Sequence, residues 1–132
     1  MKKDEIMEFC CKWLRAWHGN RPSDLIEFYS DEALYIDPGN KAGLKGREGI
    51  FPYFKKLLAA NPNWTWEAIE VFPTELGFIL EWKATIPVGA DFITERGMDV
   101  VEMKNGRISR NEVYFDRSTL IEAHRKISSL NT

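Results

Sequence analysis

Histidine and cysteine are nearly absent from this chain, with two of each among 132 residues. His18 and His124 have no partners at metal-ligand spacing, and no Cys/His cluster, Ser-His-Asp set or Gly-rich phosphate loop is present, so neither a metal nor a nucleotide cofactor is expected. Cys10 and Cys11 are neighbours that point to different faces of a helix, which argues against a mutual disulfide and for a reducing, cytoplasmic setting. No run approaches the roughly 20 apolar residues of a membrane span. The charged start Met1-Lys2-Lys3-Asp4-Glu5 leads into an amphipathic pattern, unlike a signal peptide, so no membrane partner is expected. An excess of one charge is also missing. The 18 basic and 20 acidic residues leave −2, which gives nucleic acid no electrostatic footprint.

Aromatic residues are abundant: 5 Trp, 8 Phe and 4 Tyr, spread along a length that suits one domain over residues 1–132. Ile6, Phe9, Cys10, Trp13, Leu14 and Trp17 follow the spacing of one buried helical stripe, ended by Gly19-Asn20. Pro22-Ser23-Asp24 opens a short second helix through Tyr29. A strand from Leu34 to Asp37 follows, then a loop from Asn40 to Gly46. This loop includes the Gly43-Leu44-Lys45-Gly46 word, which lacks the preceding strand of a phosphate site. A third helix carries Ile50, Phe51, Phe54, Leu57 and Leu58, with Pro52 near its first turns. From Trp64 the period alternates, predicting strands at 64–72, 78–86, 92–103 and 107–116. They are separated by Pro73-Thr74-Glu75, by the loop 87–91, and by Asn105-Gly106, whose tolerance of positive φ marks a two-residue hairpin. A helix from Ser118 to about Ser129 closes the chain. Helices first and an antiparallel meander afterwards indicate an α+β domain.

Two carboxylates interrupt apolar strands. Asp37 closes Ala33-Leu34-Tyr35-Ile36, and Asp99 sits in Met98-Asp99-Val100-Val101. A buried carboxylate must be hydrogen-bonded or protonated, so two of them in one small domain suggest a pocket for proton transfer. Simpler readings exist for both. Asp37 before Pro38 suits a turn residue bonding nearby amides, and Asp99 suits an outward strand position. Strand period puts Asp99, Val101 and Met103 on one face and Met98, Val100 and Glu102 on the other. Both faces are apolar, so the phase stays open. Asp116 and Ser118 suit helix caps, and His18 stands at a helix end where the dipole favours a cation.

The order of elements and several sequence words resemble the nuclear transport factor 2-like superfamily, in its SnoaL-like and ketosteroid-isomerase-like branches. The words are Asp31-Glu32-Ala33-Leu34-Tyr35-Ile36-Asp37-Pro38, Gly46-Arg47-Glu48-Gly49-Ile50, Gly97-Met98-Asp99-Val100-Val101-Glu102-Met103 with Asn105-Gly106-Arg107-Ile108, and Val113-Tyr114-Phe115-Asp116. The resemblance implies a cone-shaped fold. In it, a curved, mainly antiparallel sheet wraps around three helices, a C-terminal helix is added, and a deep apolar pocket lies between. It also implies a homodimer through the outer sheet face. Asp37 falls where ketosteroid isomerase has its general base, and Asp99 where it keeps a protonated acid that hydrogen-bonds the oxyanion. Trp13 replaces the tyrosine of that site, and an indole N–H donates a bond but exchanges no proton at neutral pH. Glu81-Trp82-Lys83-Ala84 lacks the Arg-x-Asp pair of limonene-epoxide hydrolases. SnoaL-type cyclases place an acid near the end of the last strand, where Asp116 stands here.

By the family phase Asp99 turns inward with Asn111, Val113 and Phe115, leaving Met98 and Val100 for a dimer surface, while Leu80, Trp82 and Ala84 line the wall. The expected function is cofactor-independent proton transfer, isomerase- or polyketide-cyclase-like, on a hydrophobic carbonyl compound. Asp37 serves as base, neutral Asp99 steadies the enolate, and Trp13, Trp17, Leu80, Trp82, Val101, Asn111, Val113 and Phe115 contact the small-molecule partner. The alternative is a non-catalytic small-molecule binder or dimeric accessory domain in which both acids are ionised and satisfied. A third is a scaffold whose cavity Trp13 fills. Room for a drug-sized guest, about 300 Å³, and a raised carboxyl pKa discriminate among them.

Overall fold

In the computed structural model, which describes residues 1–130, four helices and six strands form an α+β fold. The helices are α1 (Lys3–Ala16), α2 (Pro22–Ile26), α3 (Gly46–Ala60) and α4 (Ser118–Leu130). The strands are β1 (Tyr29–Asp37), β2 (Asn40–Lys45), β3 (Thr65–Pro73), β4 (Gly77–Val88), β5 (Asp91–Lys104) and β6 (Arg107–Phe115). They form one open sheet in the order β2-β1-β6-β5-β4-β3. Every neighbouring pair is antiparallel except β1 and β6, which run parallel.

Period-two burial sorts the sheet into two faces. On β4, Phe78, Leu80, Trp82, Ala84 and Ile86 are buried in alternation. The register carries that face across the sheet, pairing Leu80 with Asp99 and Trp82 with Gly97, then Asp99 with Val113 and Gly97 with Phe115. Asp99 and Val101 therefore turn inward, while Met98 and Tyr114, opposite each other, stay exposed on the outer face. α1 covers the inner face through Ile6, Cys10, Trp13, Leu14 and Trp17, the stripe its spacing predicts, and α3 adds Ile50, Phe54 and Leu58. No helix among the described residues is long and apolar enough to cross a membrane.

Three local expectations need correction. Residues 40–45 form β2, not a loop: they pair with β1 through Leu34–Lys45 and Tyr35–Leu44, and as an edge strand they carry the polar residues that hide strand character,. The second helix ends at Ile26, because Tyr29 enters β1, pairs with Ile108 and buries its ring. The stretch 87–91 is not an open loop either. Val88 pairs with Asp91 across a two-residue turn that Gly89, at φ 64°, makes accessible,. At Asn105-Gly106 the φ angles of 54° and 79° give the hairpin the sequence predicts,.

Candidate functional site

A cavity of about 210 Å³ opens between the concave sheet face and the helices. Trp17 of α1, Trp64 and Trp66 at the start of β3, and Trp82 and Phe115 of the central strands form its aromatic walls. Tyr35 and Tyr53 stand at one end with Asp37, and Asp99 and Glu95 enter from β5. The rings brace one another at tilted and edge-on angles. Trp17 lies 5.7 Å from Trp66, Trp64 lies 6.0 Å from Trp66, and Trp82 meets Phe115 at 5.6 Å.

Asp37 is 7% exposed and ends β1. Its Oδ2 accepts the hydroxyls of Tyr35 (3.0 Å) and Tyr53 (2.5 Å), and its Oδ1 accepts Gly39 N–H (2.9 Å) and Asn40 Nδ2 (3.0 Å). Asp37 therefore lines the cavity and also holds the turn that follows it. Four donors fill the roughly four lone-pair positions of a carboxylate, so little acceptor capacity is left for a reacting proton. Both phenols are pushed above the ordinary tyrosine range, chiefly by burial and then by the Asp37 charge.

Asp99 is 5% exposed and differently served. Trp82 Nε1 donates to its Oδ1 at 2.7 Å, and Asn111 Nδ2 donates to its Oδ2 at 3.0 Å. Behind it, Tyr29 donates its hydroxyl to Asn111 Oδ1 at 2.8 Å, which fixes the amide's orientation. Gly97 makes the first bond possible: a Cβ there would lie 2.2 Å from the Trp82 ring, so only glycine lets the indole lie across β5. Burial raises the Asp99 pKa to about 6, against the lowering effect of the Asn111 and Trp82 donors and with a further push from the Asp37 charge,. The upward shift expected for a buried Asp99 is present, and at about 6 the carboxyl takes up and releases its proton near neutrality,.

Glu95, two strand periods from Asp99, is a cavity-lining carboxylate that sequence reading misses. Its Oε1 is buried without a hydrogen-bond partner among the described residues, and burial followed by the Asp116 charge raises its pKa. Between Thr94 and Arg96 it looks solvated, and only the strand phase set by Asp99 could have found it. Tyr35, Tyr53, Trp64 and Trp66 are likewise lining residues that sequence reading does not single out.

Of the expected contacts, Trp17, Trp82, Val113 and Phe115 line the cavity, as do Asp37 and Asp99. Trp13, Leu80, Val101 and Asn111 do not. Leu80, Val101 and Trp13 belong to the closed core, and Asn111 stands behind Asp99 as its donor. Trp13 is fully buried among Phe9, Tyr29 and Phe78, so it fills the deep end of the fold and leaves the cavity open. Its Nε1 has no partner in hydrogen-bond geometry, although the Tyr29 oxygen is near enough to feel it. His18 also departs from expectation. Its Nε2 accepts the Trp66 backbone N–H at 2.8 Å, and burial lowers its pKa, so it is held neutral in place of serving as a dipole-stabilised cation. Asp116 lies outside the cavity, accepts Ser118 N–H at 2.9 Å and starts α4.

The fold has many solved counterparts. A hypothetical protein of ketosteroid isomerase-like fold from Catenulispora acidiphila, in complex with trimethylamine, superposes with a TM-score of 0.76 at 18% identity, covering 88% of this chain and 91% of that one. A protein of nuclear transport factor 2-like fold from Burkholderia pseudomallei gives 0.75 at 14% identity, with 93% and 98% covered. TerC, co-crystallised with polyporic acid, gives 0.74 at 11% identity, with 89% and 95% covered. No curated protein matches the sequence. At these identities the structural likeness establishes the fold alone. The sequence itself goes further: residues 12–111 match the SnoaL-like domain profile, so the chain belongs to the SnoaL-like domain family of the nuclear transport factor 2-like fold.

Proposed function

We propose that the cavity is the site of a cofactor-independent proton transfer on a small cyclic carbonyl compound, with Asp99 carrying the proton. The observation that supports this most is the Asp99 carboxylate, buried in the cavity wall with a pKa of about 6 and only two of its lone-pair positions occupied. A general base works best when its pKa lies near the operating pH, and a free lone pair facing the guest gives it something to accept with. Asp99 takes the proton from the carbon next to the carbonyl. The C–H electron pair moves into an enolate whose negative oxygen is met by the Tyr53 hydroxyl at the cavity's half-exposed end. Asp99 then returns the proton to another carbon of the same system, which completes an isomerisation with no net change in atoms. Asp37 keeps three donors while Tyr53 turns, so its role is to position the phenol. The apolar walls exclude water and strengthen both electrostatic interactions.

The test is hydrogen–deuterium exchange on small cyclic enones and diketones in D2O, followed by proton NMR. Asp99→Asn is expected to slow exchange by about 10²–10⁴-fold, the usual weight of a general base, and Asp37→Asn by less. Exchange in Asp99→Asn equal to wild type overturns the assignment. A larger loss in Asp37→Asn returns the base to Asp37. A reading without catalysis, as a small-molecule binder, draws on the complete satisfaction of Asp37 by neutral donors, and it requires both variants to leave the exchange rate of a bound enone unchanged.

A further inference from the structure

Three carboxylates, Asp37, Asp99 and Glu95, reach one aromatic cavity, and none of them forms an ion pair among the described residues. Their hydrogen-bond donors are all neutral: two phenols, an indole, two side-chain amides and one backbone N–H. Arg117 is the one basic side chain in the lining. It is exposed, donates its Nη2 to Pro38 O at 3.4 Å, and stands at the Tyr53 end of the cavity, where its charge reaches the Tyr53 phenol but forms no ion pair with Asp99 or Glu95. Acids buried as deeply as Asp37 and Asp99 are ordinarily paired with a cation,. Here the walls that surround them are the faces and edges of Trp17, Trp64, Trp66, Trp82 and Phe115, groups that attract positive charge through their ring quadrupoles.

We infer that the occupant of this cavity is a small organic cation, an ammonium or protonated amine on a body of about one ring, which supplies the positive charge that the Asp99 and Glu95 side of the wall lacks. A metal ion does not fit the same description, since no three His, Cys, Asp or Glu side chains among the described residues stand close enough to share one. Carboxylates spread around a hollow, with aromatic rings between them, suit a diffuse charge. The size follows from the volume. An apolar cavity of about 150 Å³ holds benzene, so about 210 Å³ takes one ring with a compact cationic substituent. The unpartnered Glu95 Oε1 leaves negative charge in the lining for that cation to meet. This inference rests on the cavity being the substrate site and adds the charge of the substrate class.

The experiment compares phenyltrimethylammonium with tert-butylbenzene, its neutral carbon isostere, by tryptophan fluorescence and NMR titration at pH 7.5. The cation is expected to bind at least tenfold more tightly. Glu95→Gln and Asp99→Asn are each expected to reduce that preference severalfold, and Glu95, partly exposed, gives a variant that folds even where Asp99→Asn does not. Lowering the pH through about 6 is expected to weaken the cation alone. Facing Asp99 are Asp37, Tyr29 and Tyr35 from β1 and Cys10 from α1, and the phenols and thiol are shifted upward and stay neutral there. Asp116 faces Glu95. Equal or tighter binding of the isostere, or binding of neither compound, overturns the inference. The two proposals fail separately. A preferred neutral guest with Asp99-dependent exchange leaves proton transfer standing, whereas a preferred cation without such exchange leaves only the charge assignment.

Discussion

Asp99 is held in the fold against its own preference for water, and that strain has a measurable sign. Its folded pKa of about 6 exceeds the ordinary value of 3.8, so the native state binds the proton more tightly than the unfolded chain. The stabilisation from protonation is fully present below about pH 4 and is lost as pH rises through about 6. The difference corresponds to about 3 kcal/mol at 1.36 kcal/mol per pKa unit. Asp99→Asn removes the titration. The amide can still accept from Trp82, and Asn111 can invert because the Tyr29 hydroxyl accepts as well as donates. The variant is therefore expected to melt higher than wild type at pH 7.5 and no higher at pH 4, as thermal unfolding at both pH values would establish. A wild-type advantage at pH 7.5 would contradict the burial cost assigned to Asp99. At this scale the sequence is informative where a residue breaks its own pattern. Asp37 and Asp99 announce themselves because acids are rare inside apolar strands. Glu95, Tyr53 and Trp66 do not, since each is unremarkable in its own element and gains meaning only from what faces it.

Among the elements, β3 is exposed to the classic hazard of a sheet edge, having β4 on one side and no strand on the other. α1 covers that edge, and His18 just beyond it closes the junction by accepting the Trp66 N–H while its ring stacks on the Trp66 indole at 6.0 Å,. The acceptor nitrogen must be unprotonated, so this bond contributes stability above the ordinary pKa of 6.5 and loses it as pH falls through the lowered folded value,. His18→Leu is expected to cost about 1–2 kcal/mol, the weight of a half-buried N–H left without its acceptor, and to speed hydrogen exchange at the Trp66 amide. Both effects should shrink as the pH falls through the lowered folded value, where wild type loses the same bond. Unchanged Trp66 protection at pH 7.5 would show that His18 does not secure this edge. The elements themselves are mostly legible from periodicity: α1, α3 and β3 to β6 follow their apolar spacing. β2 is not, because Asn40-Lys41-Ala42-Gly43 carries no alternation, and its strand conformation comes from pairing with β1 and not from its own residues.

For the molecule as a whole, the division between filled core and open cavity decides what can bind, and periodicity cannot locate that division. Trp13 and Trp17 are one helical turn apart on the same stripe of α1, yet Trp13 is sealed among Phe9, Tyr29 and Phe78 while Trp17 lines the hollow with Trp66. At the Trp17 end the large rings meet at tilted and edge-on angles, and space remains between them. That space is about 210 Å³, below the roughly 300 Å³ at which drug-sized pockets begin. Four-ring compounds are therefore expected to bind poorly, with Trp64 and Trp66 limiting the guest from the open edge. Across a series from cyclohexenone through a bicyclic ketone to a steroid, affinity is expected to rise with the first ring, where each buried methylene contributes about 0.8 kcal/mol, and to fall once the second ring meets the tryptophans. Trp66→Ala keeps the backbone N–H that His18 holds and removes the indole, so it should shift the optimum toward the bicyclic guest. Calorimetric titration of the series against both proteins decides the matter. A steroid bound by wild type as tightly as the one-ring ketone would mean that the tryptophan wall gives way and does not set the size of the guest.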